Sequence, residues 1–215
     1  MRREDFYGNR PAQRRVMKSF TAVPPHTLHF LNMRLRFNEA KVTQAAGLFL
    51  KKRGGKMSYM KLLKLLYLTD REALVRWGRP VTTDVYVSMD HGPVLSKTLD
   101  IINEGPDSIE GRIWAQYISA ASNYEVSLLE DTPTTELSRA EEKLIDEIFC
   151  KFGAYSRWQI RDYVHTLPEW TDPHGSAVPI RYSDILVAAK KTEEEVESIL
   201  EELRNLEHFQ NCLSL

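Results

Sequence analysis

Cysteine is almost absent from this chain: Cys150 and Cys212 are the two in 215 residues, far apart and without the CxxC spacing of a metal or redox pair. A reduced, cytoplasmic setting is the expectation from that usage. Long apolar runs are missing too. The longest, Leu62 to Leu68, is interrupted by Lys64 and falls well short of the roughly 18 residues that a membrane helix needs, so no membrane partner is expected. The basic N-terminus lacks the apolar stretch of a secretory signal. HExxH, GxSxG, a phosphate-cradling Gly-rich loop and the dinucleotide fingerprint are all lacking. With them go the familiar routes to metal, cofactor and nucleophile chemistry, and the expectation is a protein without metal or cofactor. No repeat or low-complexity tract occurs.

What is present is enough for a core. Hydrophobic residues make up 42% of the chain, with four Trp, nine Tyr and eight Phe, too many large apolar groups for general disorder. The net charge of -1 conceals a split: residues 1 to 64 carry 15 Lys or Arg against 3 acids, and residues 65 to 215 carry 14 against 27. Either the basic part is an arm for nucleic acid, or the two parts fold against each other or are simply solvated. The second reading is preferred, because the basic stretch lacks regularly interleaved aromatics and any finger or zipper pattern.

Residues 1–32, with five arginines among Pro11, Pro24 and Pro25, read as a basic, loosely structured extension, and 33–215 as the domain. Asn38 is a good N-cap for a helix over Glu39 to Arg53, ended by Gly54 and Gly55. Ser58 is expected to cap a longer, central helix through Leu62, Leu66, Leu74 and Trp77 to Gly78, with Lys61, Lys64 and Arg71 on its polar face. Val81 to Met89 alternates like a half-buried strand, and Pro93 suits the first position of a following helix. Arg112 to Ser119 and Tyr124 to Glu130 read as a hairpin. Ser138 with Glu141, Ser156, Ser183, and Thr192 with Glu195 open four more helices. The fold class is therefore α+β and predominantly α-helical, with about six or seven helices packed on a small three-stranded antiparallel sheet formed by 81–89 and the hairpin.

Three places invite chemistry. Asp70 falls among Leu63, Leu66, Tyr67, Leu74 and Trp77 on the apolar face of its helix and must be satisfied there, by backbone N–H groups or a cation. Asp90, His91, Gly92 and Pro93 join a strand to a helix whose free N–H groups could receive an anion. His165, Glu169, Trp170, Asp172 and His174 form a dense polar and aromatic cluster, without the spacing of a metal site.

The segments KLLKLLYLTD (Lys61 to Asp70), Trp77, Gly78 and Pro80, SMDHGPVLSKTLDII (Ser88 to Ile102), LSRAEEKLIDEIFCKFG from Leu137 and VHTLPEW (Val164 to Trp170) together resemble the Panacea domain, or SocA-like antitoxin domain, from about Met33 to about Leu206. The resemblance implies a cytoplasmic bacterial, archaeal or phage protein that is not an enzyme. It would neutralise a cognate toxin protein by direct contact, with delivery to a protease as a variant of that role. Tyr67, Asp90, His91, His165 and Trp170 are the residues expected at or supporting the contact surface, since they combine apolar area with a polar handle. Two other classes compete: a hydrolase using Asp70, His91 and His165, which would have to converge in one cleft, and a nucleic-acid binder acting through the basic first 64 residues.

Overall fold

The computed structural model describes residues 35–105 and 111–213. The extension expected over residues 1–32 lies outside them. In chain order the described elements are α1 (Glu39–Lys52), β1 (Lys56–Ser58), α2 (Tyr59–Trp77), β2 (Tyr86–Met89), β3 (Gly92–Leu95), α3 (Ser96–Glu104), α4 (Trp114–Tyr117), β4 (Glu125–Ser127), α5 (Arg139–Phe152), α6 (Arg157–Val164), β5 (Val178–Ile180), α7 (Tyr182–Ala188) and α8 (Glu193–Cys212). The fold is a mostly helical α+β structure with two small antiparallel sheets.

Asn38 caps α1 as its sequence suggests, its Oδ1 accepting from the Lys41 N–H at 2.9 Å. Capping boxes close the N-termini of α5 at Ser138 and Glu141, of α6 at Ser156 and Gln159, and of α8 at Thr192 and Glu195. The Ser58 side chain, by contrast, makes no cap bond, and its Oγ is buried without a partner. Ser58 also ends β1, paired with Glu125, and that extended pairing takes precedence.

Helix α2 is the axis of the molecule. It touches α1, α3, α5, α6, α7, β1 and β3, and Leu62, Leu63, Leu65, Leu66, Tyr67 and Leu68 are all buried. The expectation of a polar face carrying Lys61 and Lys64 fails here, because neighbours pack on every side of the middle turns. Both lysines are buried. The Lys61 ammonium donates to the carbonyls of Gly153 at 2.7 Å and Tyr155 at 2.6 Å, just past the end of α5. Trp77, at the far end, is 39% exposed instead of core.

The sheets also depart from expectation. β2 pairs with β3 across a two-residue turn at Asp90 and His91, and with β5 on its other side. β4 pairs with β1. The segment Arg112 to Ser119 does not pair with 81–89: it contains the one-turn helix α4, whose Trp114 is buried and whose N–H groups at Ile113 and Trp114 reach the Glu39 carboxylate at 2.6 and 2.9 Å. Alternation over so short a span fits either element, and burial of Trp114 against α1 decides it. A single bridge, Ile118 to Leu128, is what exists of the expected hairpin pairing. Pro93 lies in β3, not in a helix. β3 is one of the two edge strands of its sheet, where a residue without an N–H is tolerated.

Helix α3 starts three residues later, and its N–H groups are already taken. The Asp84 carboxylate accepts from Lys97 N at 3.0 Å, Thr98 N at 2.9 Å and the Thr98 hydroxyl at 2.6 Å. An external anion has no place there. The charge split resolves in part into contacts within the fold: Lys41 pairs with Glu141 at 2.8 Å, Lys52 with Asp146 at 2.6 Å, Lys56 with Glu125 at 2.6 Å, and Lys51 with Asp131.

Candidate functional site

The turn between β2 and β3 is built by glycine. Gly92 has a φ of 91°, and a Cβ there would stand 2.7 Å from Val164 Cγ2 and 3.1 Å from His165 Cδ2. Only a residue without a side chain lets the turn lie against the end of α6. Asp90 and His91 are thereby projected outward and are exposed. Asp90 Oδ1 accepts from the Gly175 N–H at 2.9 Å, which ties the turn to the loop before β5. The His91 ring meets Trp158 of α6 edge-on, with centroids 6.4 Å apart. Arg157 and Arg161 both hold their guanidinium groups 4.9 Å from the Trp158 ring.

Behind the turn, the Val164 to Trp170 segment folds back on itself. The His165 and Trp170 rings stack at 4.1 Å with planes 12° apart. Trp170 Nε1 donates to the Met89 carbonyl at 3.2 Å, and the Thr171 N–H to Ser88 Oγ at 3.2 Å. Glu169 turns the other way, into the core: its carboxylate accepts from the Tyr67 hydroxyl at 3.0 Å, from Arg71 Nε at 2.6 Å and from Arg71 Nη2 at 3.3 Å. The segment therefore fastens α6 to both β2 and α2. His165 Nε2 is buried without a partner. Burial, with Lys64 and Arg161 nearby, lowers the His165 pKa.

Between the N-terminal turns of α2, the β2–β3 turn, α3 and α6 lies a groove of about 700 Å³. Tyr59, Met60, Leu63, Val94 and Leu99 supply its apolar lining, and Asp90, His91, Arg157, Trp158 and Tyr124 its polar and aromatic rim. Lys64 lies at its floor. The ammonium is fully buried and donates to the Pro93 carbonyl at 2.8 Å, with no carboxylate paired to it among the described residues. Burial lowers its pKa to about 7.

Asp70 is elsewhere. Its Oδ1 accepts from the N–H groups of Val81 and Thr82, both at 2.9 Å, and its Oδ2 from the Tyr86 hydroxyl at 2.9 Å and the Thr82 hydroxyl. It is fully buried and pins the loop after α2 to the core. Burial raises its pKa to about 6 despite these four donors. Asp70, His91 and His165 therefore do not share a cleft, and the arrangement that a hydrolase would need is not formed by them. Of the five residues expected at or supporting the contact surface, Asp90, His91, His165 and Trp170 lie around the β2–β3 turn. Tyr67 is wholly buried beneath it and donates to Glu169. The places of Lys64, Arg157 and Tyr124 at the groove were not legible in the sequence. Lys64 carried a signal: leucines on both sides of it in the chain mean that no side of α2 is left for solvent.

Among the described residues, no group of three or more His, Cys, Asp or Glu is placed to hold a metal ion. No helix among them is long and apolar enough to cross a membrane. The family model described as antitoxin SocA-like, Panacea domain, matches residues 62–171, which span α2 through the Trp170 stack. The chain belongs to this family. Searches of curated proteins and of solved structures returned no match.

Proposed function

We propose that the protein is a cytoplasmic antitoxin that neutralises a cognate toxin protein by direct contact, using the face around the β2–β3 turn, with residues 33–215 as the working unit. Membership of an antitoxin-like family is the observation that carries this reading. The geometry supports it in one respect: the family-matched segments converge on an open groove rimmed by Trp158, which is 44% exposed, and Tyr124, which is 68% exposed. Exposed aromatics around an apolar floor are the usual anchors of a protein interface. In this reading Asp90, His91, His165 and Trp170 form or brace the contact, and Tyr67 and Glu169 hold them in place.

The nucleic-acid alternative loses two of its cations, since Lys61 and Lys64 are buried and cannot meet phosphates without unpacking α2. The test is co-expression with the product of the neighbouring gene. The expected result is restored growth together with a complex recoverable by pull-down. Folded protein that leaves growth suppressed and recovers no such product overturns the reading.

A further inference from the structure

We infer that the groove accepts an acidic peptide segment of the partner protein, with a Glu or Asp side-chain carboxylate pairing to Lys64 and neighbouring apolar side chains lying on Leu63, Val94 and Leu99. This rests on the proposed partner-binding role and adds the chemistry of what is bound. Among the described residues, the buried Lys64 has one hydrogen-bond acceptor, the neutral carbonyl of Pro93. A lysine ammonium carries three donors, so two stay open. A buried cation without an anion is costly, and burying one is favoured when a counter-charge completes the pair. The lysines of α1 and β1 pair with carboxylates within the chain, and the other buried lysine of α2, Lys61, places its ammonium on two carbonyls. Lys64 has a single carbonyl acceptor and lines a groove.

The surroundings carry the same sign. Arg157 stands on the rim, and Arg161 flanks Trp158. Asp90, the one acid lining the groove among the described residues, has an oxygen engaged by the Gly175 N–H. Pairing requires the buried ammonium to turn from the Pro93 carbonyl toward the groove. A volume of about 700 Å³ lies in the range of small-ligand clefts and holds a few residues of peptide. A basic segment would bring like charges together on this rim, which disfavours it.

The experiment titrates the full-length, isotope-labelled protein with acetylated and amidated Leu-Glu-Leu, and in parallel with its Gln and Lys counterparts, following the Lys64 side chain, the Trp158 indole and the amides of residues 89–94 by NMR. The Glu peptide is expected to bind saturably and about tenfold or more tighter than the Gln peptide. In Lys64→Met, which retains chain length and apolar bulk, that preference should vanish while the amide spectrum stays dispersed. Equal binding of Glu and Gln peptides to the wild-type protein, tighter binding of the Lys peptide, or no saturable shift up to about 10 mM overturns the inference. None of these needs the variant to fold. Growth rescue by the wild-type protein with no Glu preference removes this inference alone, whereas absence of both removes the neutralising role as well.

Discussion

Replacing Asp70 by alanine removes one small side chain and leaves four donors behind. The Val81 and Thr82 N–H groups are fixed by the backbone and have no second acceptor to turn to, whereas the Thr82 and Tyr86 hydroxyls can rotate. Leaving a buried donor unsatisfied costs about 1–3 kcal/mol. Two fixed donors, with partial recovery by the hydroxyls, place Asp70→Ala at roughly 3 kcal/mol. At roughly 2–4 °C per kcal/mol for a domain of this size, the melting temperature should fall by about 6–12 °C. Asp70→Asn retains an oxygen for both N–H groups, and one hydroxyl can turn to accept from the new amide, so its cost should be about 1 kcal/mol. Urea denaturation reads both, as a lower midpoint at constant slope. An Asp70→Ala midpoint equal to that of Asp70→Asn would refute the argument that these fixed N–H groups set the magnitude.

The same carboxyl gives a pH signature. Its folded pKa, raised to about 6, lies above the unfolded value, so the folded state binds more protons in between. The Asp70 contribution is therefore full below about pH 4 and is lost as pH rises through about 6, by at most roughly 3 kcal/mol. The stability of the wild type relative to Asp70→Asn should decline across that window, and a difference that stays flat contradicts it. Gly92→Ala forces both a positive φ and a 2.7 Å contact with Val164, so it should destabilise by about 2 kcal/mol and displace the His91 and His165 resonances; an unshifted spectrum would show that the turn has room. Glu169→Ala leaves Arg71 and the Tyr67 hydroxyl without their carboxylate and should cost about 3 kcal/mol in thermal or chemical melts, and a change within error would deny the segment its fastening role.

The helices whose ends carry their own caps were readable in advance. Asn38, the Ser138 and Glu141 pair, and the Thr192 and Glu195 pair mark α1, α5 and α8 because the signal and the bond lie within four residues. The sheets were not, because their partners are distant. β2 meets β5 across some ninety residues of chain, and β1 finds β4 across about seventy. Nothing local in Val178–Ile180, with Pro179 in the middle, announces a strand. Remote caps were hidden for the same reason: Asp84 serves α3, and Glu39 serves α4, from elsewhere in the chain. At the site, the Val164 to Trp170 segment drew notice through its composition. Its division of labour, with Trp170 facing β2 and Glu169 facing α2, depends on a reversal of the chain after α6 that no periodicity encodes.

The contact face is tested most directly by combining His91→Ala with Trp158→Ala, two exposed side chains whose removal leaves the core intact, and measuring affinity for the purified neighbouring gene product by calorimetry. The account predicts an unchanged melting temperature and binding weakened by about tenfold or more, as the loss of an interface anchor requires. Binding at full strength by the folded double variant would contradict it.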